Sequence, residues 1–583
     1  MAGLFLAHRP TADAAAEPLA AARAQFTRHG FGAPRALAAP GWDILAWESI
    51  AGGPESLWRE GEDFIAVAGT LVYDGRMGGP ALSALLRDSD LPRTPDWSRI
   101  GGQFVALVKK HGRLFAFTDY FGAFQLFVDR EHRLCSTSLL AALCALPSVA
   151  FDTQGLYEFA FNVVPIGDDT VFRELRTLNP GEIAEFTPAG ITLHATPKPL
   201  PDTAAEASID RQIAAHRDRL MAVVEAHVRH FGNHVHCPLS GGIDSRLLLA
   251  ALRAAGSTPH VYVYGPPDSG DVAVARAIGR AEGFSVEWID KQQAPLDADA
   301  FAERTRRNFH EFDALPTYGN IFDNGGNAAA RDARHAGGGL ATSGGCGEIY
   351  RDFFYLSDRP RDAAAVAGTF FARFTRGDAT PLFDPKRFLD RIAGKIALAA
   401  EADTIRTPIA RLRIEHLYPR VRCRALFGRE ISIEARYGAY MMPFLDHAVV
   451  AEAMTLPIGM KRAGRFESAL LSAIDPALAR HMSAYGHSFD VPPGRAHRLG
   501  EWSSRIRPTW LRARSYAIRR RLGPMGDEHG GLLTPDYMAR VVDPDFPAMR
   551  RYFRMENITD SGLWRRIACL EYLAQHLGSR LRH

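Results

Sequence analysis

The first 200 residues set short apolar runs between punctuating residues. "DILAWES", "FIAVAGTLVY", "FVALVKK", "RLFAFTD", "FQLFVD" and "EIAEFT" are rich in β-branched and aromatic residues, and Gly, Asp and Asn separate them. Runs of this kind read as strands, and the residues between them as hairpins and strand ends. Helical periodicity is confined to stretches near 80–87, 138–146 and 153–161. The pattern predicts an α+β half built on layered antiparallel sheet.

The pattern changes after the Pro-rich stretch 195–204, "ATPKPLPDTA", which reads as a linker. An amphipathic helix over about 207–230 leads into a strand, "HVHCPL". The loop SGG follows, then a helix, "IDSRLLLAALRAAG", closed by Gly256. Next come the strand "HVYVYG", a helix near 270–282 and the strand "SVEWID". Strand and helix alternating at this spacing predict βαβ units and a parallel sheet. From about 300 onward helices dominate, and no repeat of fixed period occurs. The expected division is 1–198 and 199–583.

Composition narrows the class without naming it. A chain of 583 residues, 46% hydrophobic and 23% charged, has ample material for a large core. A net charge of +3 does not call for a nucleic-acid partner. The six cysteines form no CxxC pair, so neither a zinc site nor a disulfide framework is expected, and a reducing cytoplasm is the simplest compartment. "MAGLFLAHRPTADAAAEP" has no basic segment ahead of its apolar run and makes a poor signal peptide. No run of about 18 apolar residues exists, so no membrane span is expected. The histidines of "HVHC" alternate as strand residues do and read as structural.

The chemistry concentrates in "PLSGGIDS", residues 238–245. The order strand, SGGIDS, helix puts the loop at the carboxyl end of a parallel strand and at a helix N-terminus, where free N–H groups and the helix dipole favour an anion. Gly241 and Gly242 let the backbone approach phosphate oxygens, and Ser240 and Ser245 add hydroxyl donors. Asp244 suits a Mg²⁺ ion that bridges phosphates. No GKS or GKT follows, so this is not a Walker A loop.

SGGIDS resembles the PP-loop of the ATP pyrophosphatases, whose pattern is SGGxDS. The resemblance extends over nearly the whole chain to the asparagine synthetase family. It implies an α/β PP-loop synthetase domain with a parallel sheet and extra helices. ATP is then bound by Leu239, Ser240, Gly241, Gly242, Ile243, Asp244 and Ser245, and cleaved to AMP and pyrophosphate. "VYVYGPPDSGDVAVARAIG" (261–279) looks like the family's second strand, turn and helix, which places Val263 and Tyr264 near adenine. "ATSGGCGEIY" (341–350) sits where the family has SGxGxDE, a second loop over ATP and metal. It offers Thr342, Ser343, Gly344 and Gly345 to the nucleotide. Gly347 stands at the family's aspartate position and Glu348 matches the following acid, so Mg²⁺ is expected on Asp244 and Glu348, or on Asp244 alone. "PFLD", ending at Asp446, resembles a further family motif and reads either as a helix cap or as a catalytic site.

The N-terminal half carries the same resemblance. "GGQFVALV", "TDYFGAFQLFV" and "TLNPGEIAEF" look like elements of the family's Ntn-type glutaminase sandwich. Glutamine-using members place a nucleophilic cysteine where this chain has Ala2. Without a thiol no thioester forms, so an inactive glutaminase-like scaffold is implied. A member with no ammonia source fits groups whose substrate brings its own amine: β-lactam or carbapenam synthetases, and lasso-peptide cyclases. Three features tilt towards the cyclases. Gly344 stands where β-lactam synthetases have a catalytic tyrosine. The last lysine is Lys461, so the family's late lysine is absent and Arg480, His481 and His487 are the basic residues in its region. The tail is long and Arg-rich. The resemblance then implies adenylation of an Asp or Glu side chain of a precursor peptide and closure onto the peptide's N-terminal amine. His481, His487 and Glu348 are the candidate bases. A maturation protease or leader-peptide-binding protein is the expected partner. The alternatives are a small-molecule amide ligase, including asparagine synthesis from free ammonia, and a degenerate nucleotide-binding scaffold. "RIRPTWLRARSYAIRRRLG" (505–523) reads either as a docking face for an acidic peptide or protein, or as a solvated amphipathic helix.

Overall fold

A computed structural model of the chain describes residues 1–9, 16–291, 296–522 and 533–582. The apolar runs of the first half form two six-stranded antiparallel sheets. One is ordered Leu175–Thr177, Phe127–Asp129, Leu134–Ser136, Gly3–His8, Trp42–Trp47 and Arg35–Ala39. The other runs Gly190–Ala195, Glu182–Thr187, Arg113–Thr118, Ile100–Lys110, Asp63–Tyr73 and Leu57–Glu60. The sheets meet where the Trp42 ring packs edge-on against Phe186 at 4.9 Å and its indole N–H donates to the Thr187 carbonyl. Ile65–Ala68 and Phe104–Val108 are buried on both faces, which is why these runs are continuously apolar instead of alternating.

All six expected strands are present, and the helices Gly79–Asp88, Leu139–Ala145 and Thr153–Asn162 fall where the periodicity puts them. The helix Ala16–Arg28 was not anticipated. Its buried face is only Ala22, Gln25 and Phe26, too thin an apolar stripe to show in the pattern.

No helix or strand occurs over 196–208, and the helix Ile209–Phe231 follows. A five-stranded parallel sheet then forms in the order Val286–Ile289, His260–Tyr264, Val235–Pro238, Leu340–Thr342 and Tyr440–Met441. The chain leaves Val235–Pro238 towards one edge for its next two strands, then returns to build the other side. The order therefore reverses at Val235–Pro238. In open parallel sheets ligands bind outside the carboxyl ends of the strands at such a reversal.

The halves are locked together. The Asp446 carboxylate caps the helix His447–Met454 through the Ala448 N–H and accepts the Gly102 N–H from the sandwich at 2.9 Å. Gln103 exchanges hydrogen bonds with the Met442 backbone, and the Thr70 hydroxyl accepts the Tyr440 N–H. Leu581–Arg582 pairs with Val149–Ala150 of the first half. One continuous core spans both halves. All six cysteines are free, and no helix among the described residues is long and apolar enough to cross a membrane.

Candidate functional site

The reversal strand ends at Pro238 and the helix Ile243–Ala254 begins three residues after Ser240. Gly242 caps that helix without a side-chain hydrogen bond, so its first-turn N–H groups are open to an anion. Within the loop the Ser245 hydroxyl accepts the Ser240 N–H at 2.9 Å and lies 3.0 Å from the Ser240 hydroxyl. The Ser240 hydroxyl accepts the Gly242 N–H at 3.2 Å. Gly241 donates its N–H to the Asp271 carboxylate at 2.8 Å. The expected cradle is thus corrected in one respect. Asp271 already holds the Gly241 N–H, which leaves the helix's first turn, and not the glycines, as the open donor set.

Gly241 is required by a close approach: a Cβ there would stand 2.5 Å from the Ala484 Cβ, in a segment that straps across the loop. The strap is pinned by Arg246, whose guanidinium donates to the His481 and Met482 carbonyls at 2.7 and 2.6 Å.

The second loop leaves Leu340–Thr342, the neighbouring strand across the reversal, and packs on the first. A Cβ on Gly344 would lie 2.9 Å from the Ser245 nitrogen, and one on Gly347 would lie 2.1 Å from the Asp244 Oδ1. Asp244 fills the space that a side chain at position 347 would need. Cys346 between them holds a left-handed φ of +69°, rare for a residue with a Cβ. Thr342 does not face a nucleotide, because its buried hydroxyl donates to the His236 carbonyl at 2.8 Å. Ser343 and Gly345 close a turn through the Gly345 N–H and the Ser343 hydroxyl. Leu239 and Val263 are buried, leaving only their backbone to the site, and the Leu239 N–H donates to the Tyr262 carbonyl. The Tyr264 ring lies under the Lys291 ammonium at 3.8 Å.

The centre of the site is an arginine that the motifs did not mark. Arg351 lies 2.7 Å from Asp244, 3.2 Å from Glu467 and 3.7 Å from Glu348. The expected Mg²⁺ pair, Asp244 and Glu348, is corrected accordingly. A guanidinium stands between the two carboxylates, and among the described residues no group of three His, Cys, Asp or Glu gathers as a metal site. These residues do not fit a protein-held metal. Burial, then the charge of Asp244, pushes the Glu467 carboxyl well above the usual range, and burial also raises Asp244. Glu348 is the most open of the three, with its side chain 34% exposed against 24% and 0% for Asp244 and Glu467. Tyr418 donates its hydroxyl to Glu348. Burial lifts the Tyr418 phenol well above its ordinary value, so it stays protonated and acts as a donor. Tyr418 opens the π-helical segment Tyr418–Phe427, a geometry that recurs at functional sites.

The remaining candidates have other partners. The His481 ring pairs with Glu282 at 2.7 Å, and the His487 ring contacts the Ser488 carbonyl at 2.8 Å. Neither ring has a hydrogen bond or ion pair to the Arg351 cluster. Lys461 is buried beside Glu415 at 3.5 Å. Asp446 serves as helix cap and contact between the halves. Of the Arg-rich stretch 505–523, Arg505, Arg512 and Arg520 turn inward, to Asp352, the Phe354 and Tyr355 carbonyls, and Asp378 respectively. Position 523 lies outside the described residues.

No family model and no curated protein matches this chain. Among solved structures it is similar to the allosteric regulatory enzyme of purine biosynthesis, at 10% identity over 50% of this chain and 82% of that one, with a TM-score of 0.24. It is also similar to glutamine phosphoribosylpyrophosphate (PRPP) amidotransferase from B. subtilis complexed with ADP and GMP, at 10% identity over 49% and 90%, with a TM-score of 0.22.

Proposed function

We propose that the chain is an ATP-dependent, AMP-forming carbon–nitrogen ligase of the asparagine synthetase type that closes a macrolactam in a precursor peptide. The observation that carries this reading is the position of the SGGIDS loop. It follows the strand at which the parallel sheet reverses, and it opens an uncapped helix N-terminus.

In this reading the nucleotide's phosphates lie on the first turn of Ile243–Ala254, and Arg351 adds a fixed positive charge beside them. A substrate carboxylate oxygen attacks the α-phosphorus as the bond to the bridging oxygen breaks and pyrophosphate departs. The substrate's amine then attacks the acyl carbon, and AMP leaves. Glu348, held in place by Tyr418, takes the amine's proton. Mg²⁺ bound to the nucleotide would supply charge neutralisation at the phosphates, and Asp244 and Glu348, bridged by Arg351, would not hold it.

Two features favour an amine brought by the substrate. Ala2 is buried beside a cavity of about 20 Å³, room for a single water and far too small for a glutamine. Burial raises the Cys135 thiol well above its ordinary value, which leaves it inert. Gly344 has no room for a side chain, so a loop tyrosine of the β-lactam type does not fit. One observation favours the scaffold reading instead: Asp271 and Arg351 already satisfy parts of the loop.

Incubation with Mg·ATP and a candidate precursor peptide decides between them. AMP release with loss of one water from the peptide mass is expected, and Ser240→Ala or Asp244→Ala should abolish it. ADP as the product, or full activity in both variants, would overturn the assignment.

A further inference from the structure

A cleft of about 880 Å³ opens beyond Phe353 and Tyr355, at the upper end of the range for ligand clefts and cavities. Six arginines line it, Arg373, Arg507, Arg512, Arg519, Arg520 and Arg566, against one carboxylate, Asp560. Asp560 is itself committed to capping the helix Ser561–Leu577 through the Leu563 N–H at 2.6 Å. Three of the arginines have fixed roles in the fold: Arg512 on two carbonyls, Arg520 on Asp378, and Arg566 on the Ala160 carbonyl at 2.7 Å. Arg373, Arg507 and Arg519 make no ion pair or hydrogen bond among the described residues. Burial, then the like charge of Arg507, lowers the Arg512 guanidinium from its ordinary value. The cavity therefore holds more positive charge than the fold neutralises.

A second, apolar cavity of about 290 Å³ adjoins it and shares Val163, Phe353, Phe370 and Arg373 as common wall. Phe353 packs on the Tyr418 ring at 4.5 Å, and Tyr418 donates to Glu348. Two rings, Phe353 in the annex wall and Tyr418 behind it, thus separate the apolar annex from the carboxylate cluster.

We propose that this pair of cavities binds an acidic peptide segment, with its carboxylates on Arg373, Arg507 and Arg519 and an apolar side chain in the annex beside Tyr418. The inference rests on the ligase reading and specifies its substrate class. Planar guanidinium forks match carboxylates bidentately. A single-stranded nucleic acid would satisfy the same charges but needs aromatic faces for its bases. Here three of the five lining rings are covered: Arg512 lies over Phe370 at 5.0 Å, Arg422 over Phe353 at 5.3 Å and Arg520 over Tyr516 at 5.7 Å, leaving Phe161 and Tyr355.

The test uses the full chain, without ATP, and a fluorescein-labelled nonapeptide in which glutamates alternate with leucines. Fluorescence anisotropy should show binding that weakens at least tenfold in Arg373→Gln/Arg519→Gln and at least tenfold when the peptide's glutamates become lysines. Asp244→Asn should leave it within twofold. The three free arginines hold nothing in the fold, so the double variant should keep the parent's melting temperature. Equal affinity for both peptides, affinity unchanged in the double variant, or tighter binding of an oligothymidylate of equal charge would overturn the proposal. Peptide binding without AMP formation from any precursor overturns only the ligase reading. AMP formation with no selective peptide binding overturns only the cavity.

Discussion

Arg351 is the residue on which the site's electrostatics turn. Among the described residues it is the one cation within ion-pair distance of Asp244, Glu348 and Glu467. Removing one partner of a buried pair leaves the other charge unpaired, which costs about 3–5 kcal/mol for full burial and less where a side chain is partly open, as here. Arg351→Met should therefore destabilise the protein by about 3 kcal/mol at neutral pH in urea titration. Adding Asp244→Asn, which removes the carboxylate nearest Arg351, should return a good part of that. Equal loss in the single and double variants would show that packing, and not charge, is at stake. Tyr418→Phe tests the neighbouring pair. It removes the donor that holds Glu348, so kcat should fall at least tenfold while the KM for ATP changes little. Of these residues only Asp244 and Glu348 were legible in the motifs. Arg351, Tyr418 and Glu467 were not: Tyr418 and Glu467 come from stretches distant in the chain, and only folding brings all three to Asp244.

At the scale of elements, the site is made by two loops pressed together across the reversal of the sheet. Their contact has no spare space at Gly347, where a Cβ would stand 2.1 Å from the Asp244 carboxylate. Gly347→Ala should push Asp244 off Arg351, lower stability by about 1–3 kcal/mol as other overpacked sites do, and reduce adenylation far more than binding of the peptide. Unchanged AMP formation in that variant would mean the loops are not held in this register during turnover. The strand, loop and helix around Ser240 were readable because each is set by local sequence: β-branched residues, glycines, then a helical apolar stripe. The strap at 481–489 was not. Its place over Gly241 depends on Arg246 reaching two carbonyls some 235 residues away.

At the scale of the whole molecule, burial of histidines makes stability depend on pH. Burial lowers His216, His227, His310 and His416 from 6.5 to about 4, and His29 to about 3. These rings are neutral in the fold, while the unfolded chain takes up their protons below about 6.5. Each ring's contribution is complete above pH 6.5 and is lost as the pH falls towards 4, on the order of a few kcal/mol per ring at the low end. Asp446, raised by burial to about 6, works in the opposite sense between 3.8 and 6, and so do other carboxyls that burial raises, Asp119, Asp129, Asp244 and Glu467 among them, which makes the fall shallower than the rings alone would give. The melting temperature should fall steadily from pH 7 to pH 4.5, and a flat or rising profile would contradict the assignment. The same burial separates what each level of description decided. By itself the sequence determined the antiparallel first half, the parallel second half and the loop that opens a helix beside a strand end, because periodicity and turn chemistry act over a few residues. Tertiary structure alone decided that the loop lies at the sheet's reversal, that an arginine bridges the expected metal pair, and that an Arg-lined cleft opens beyond Phe353 and Tyr355. Those depend on which distant side chains share a low-dielectric space, and no local pattern encodes that.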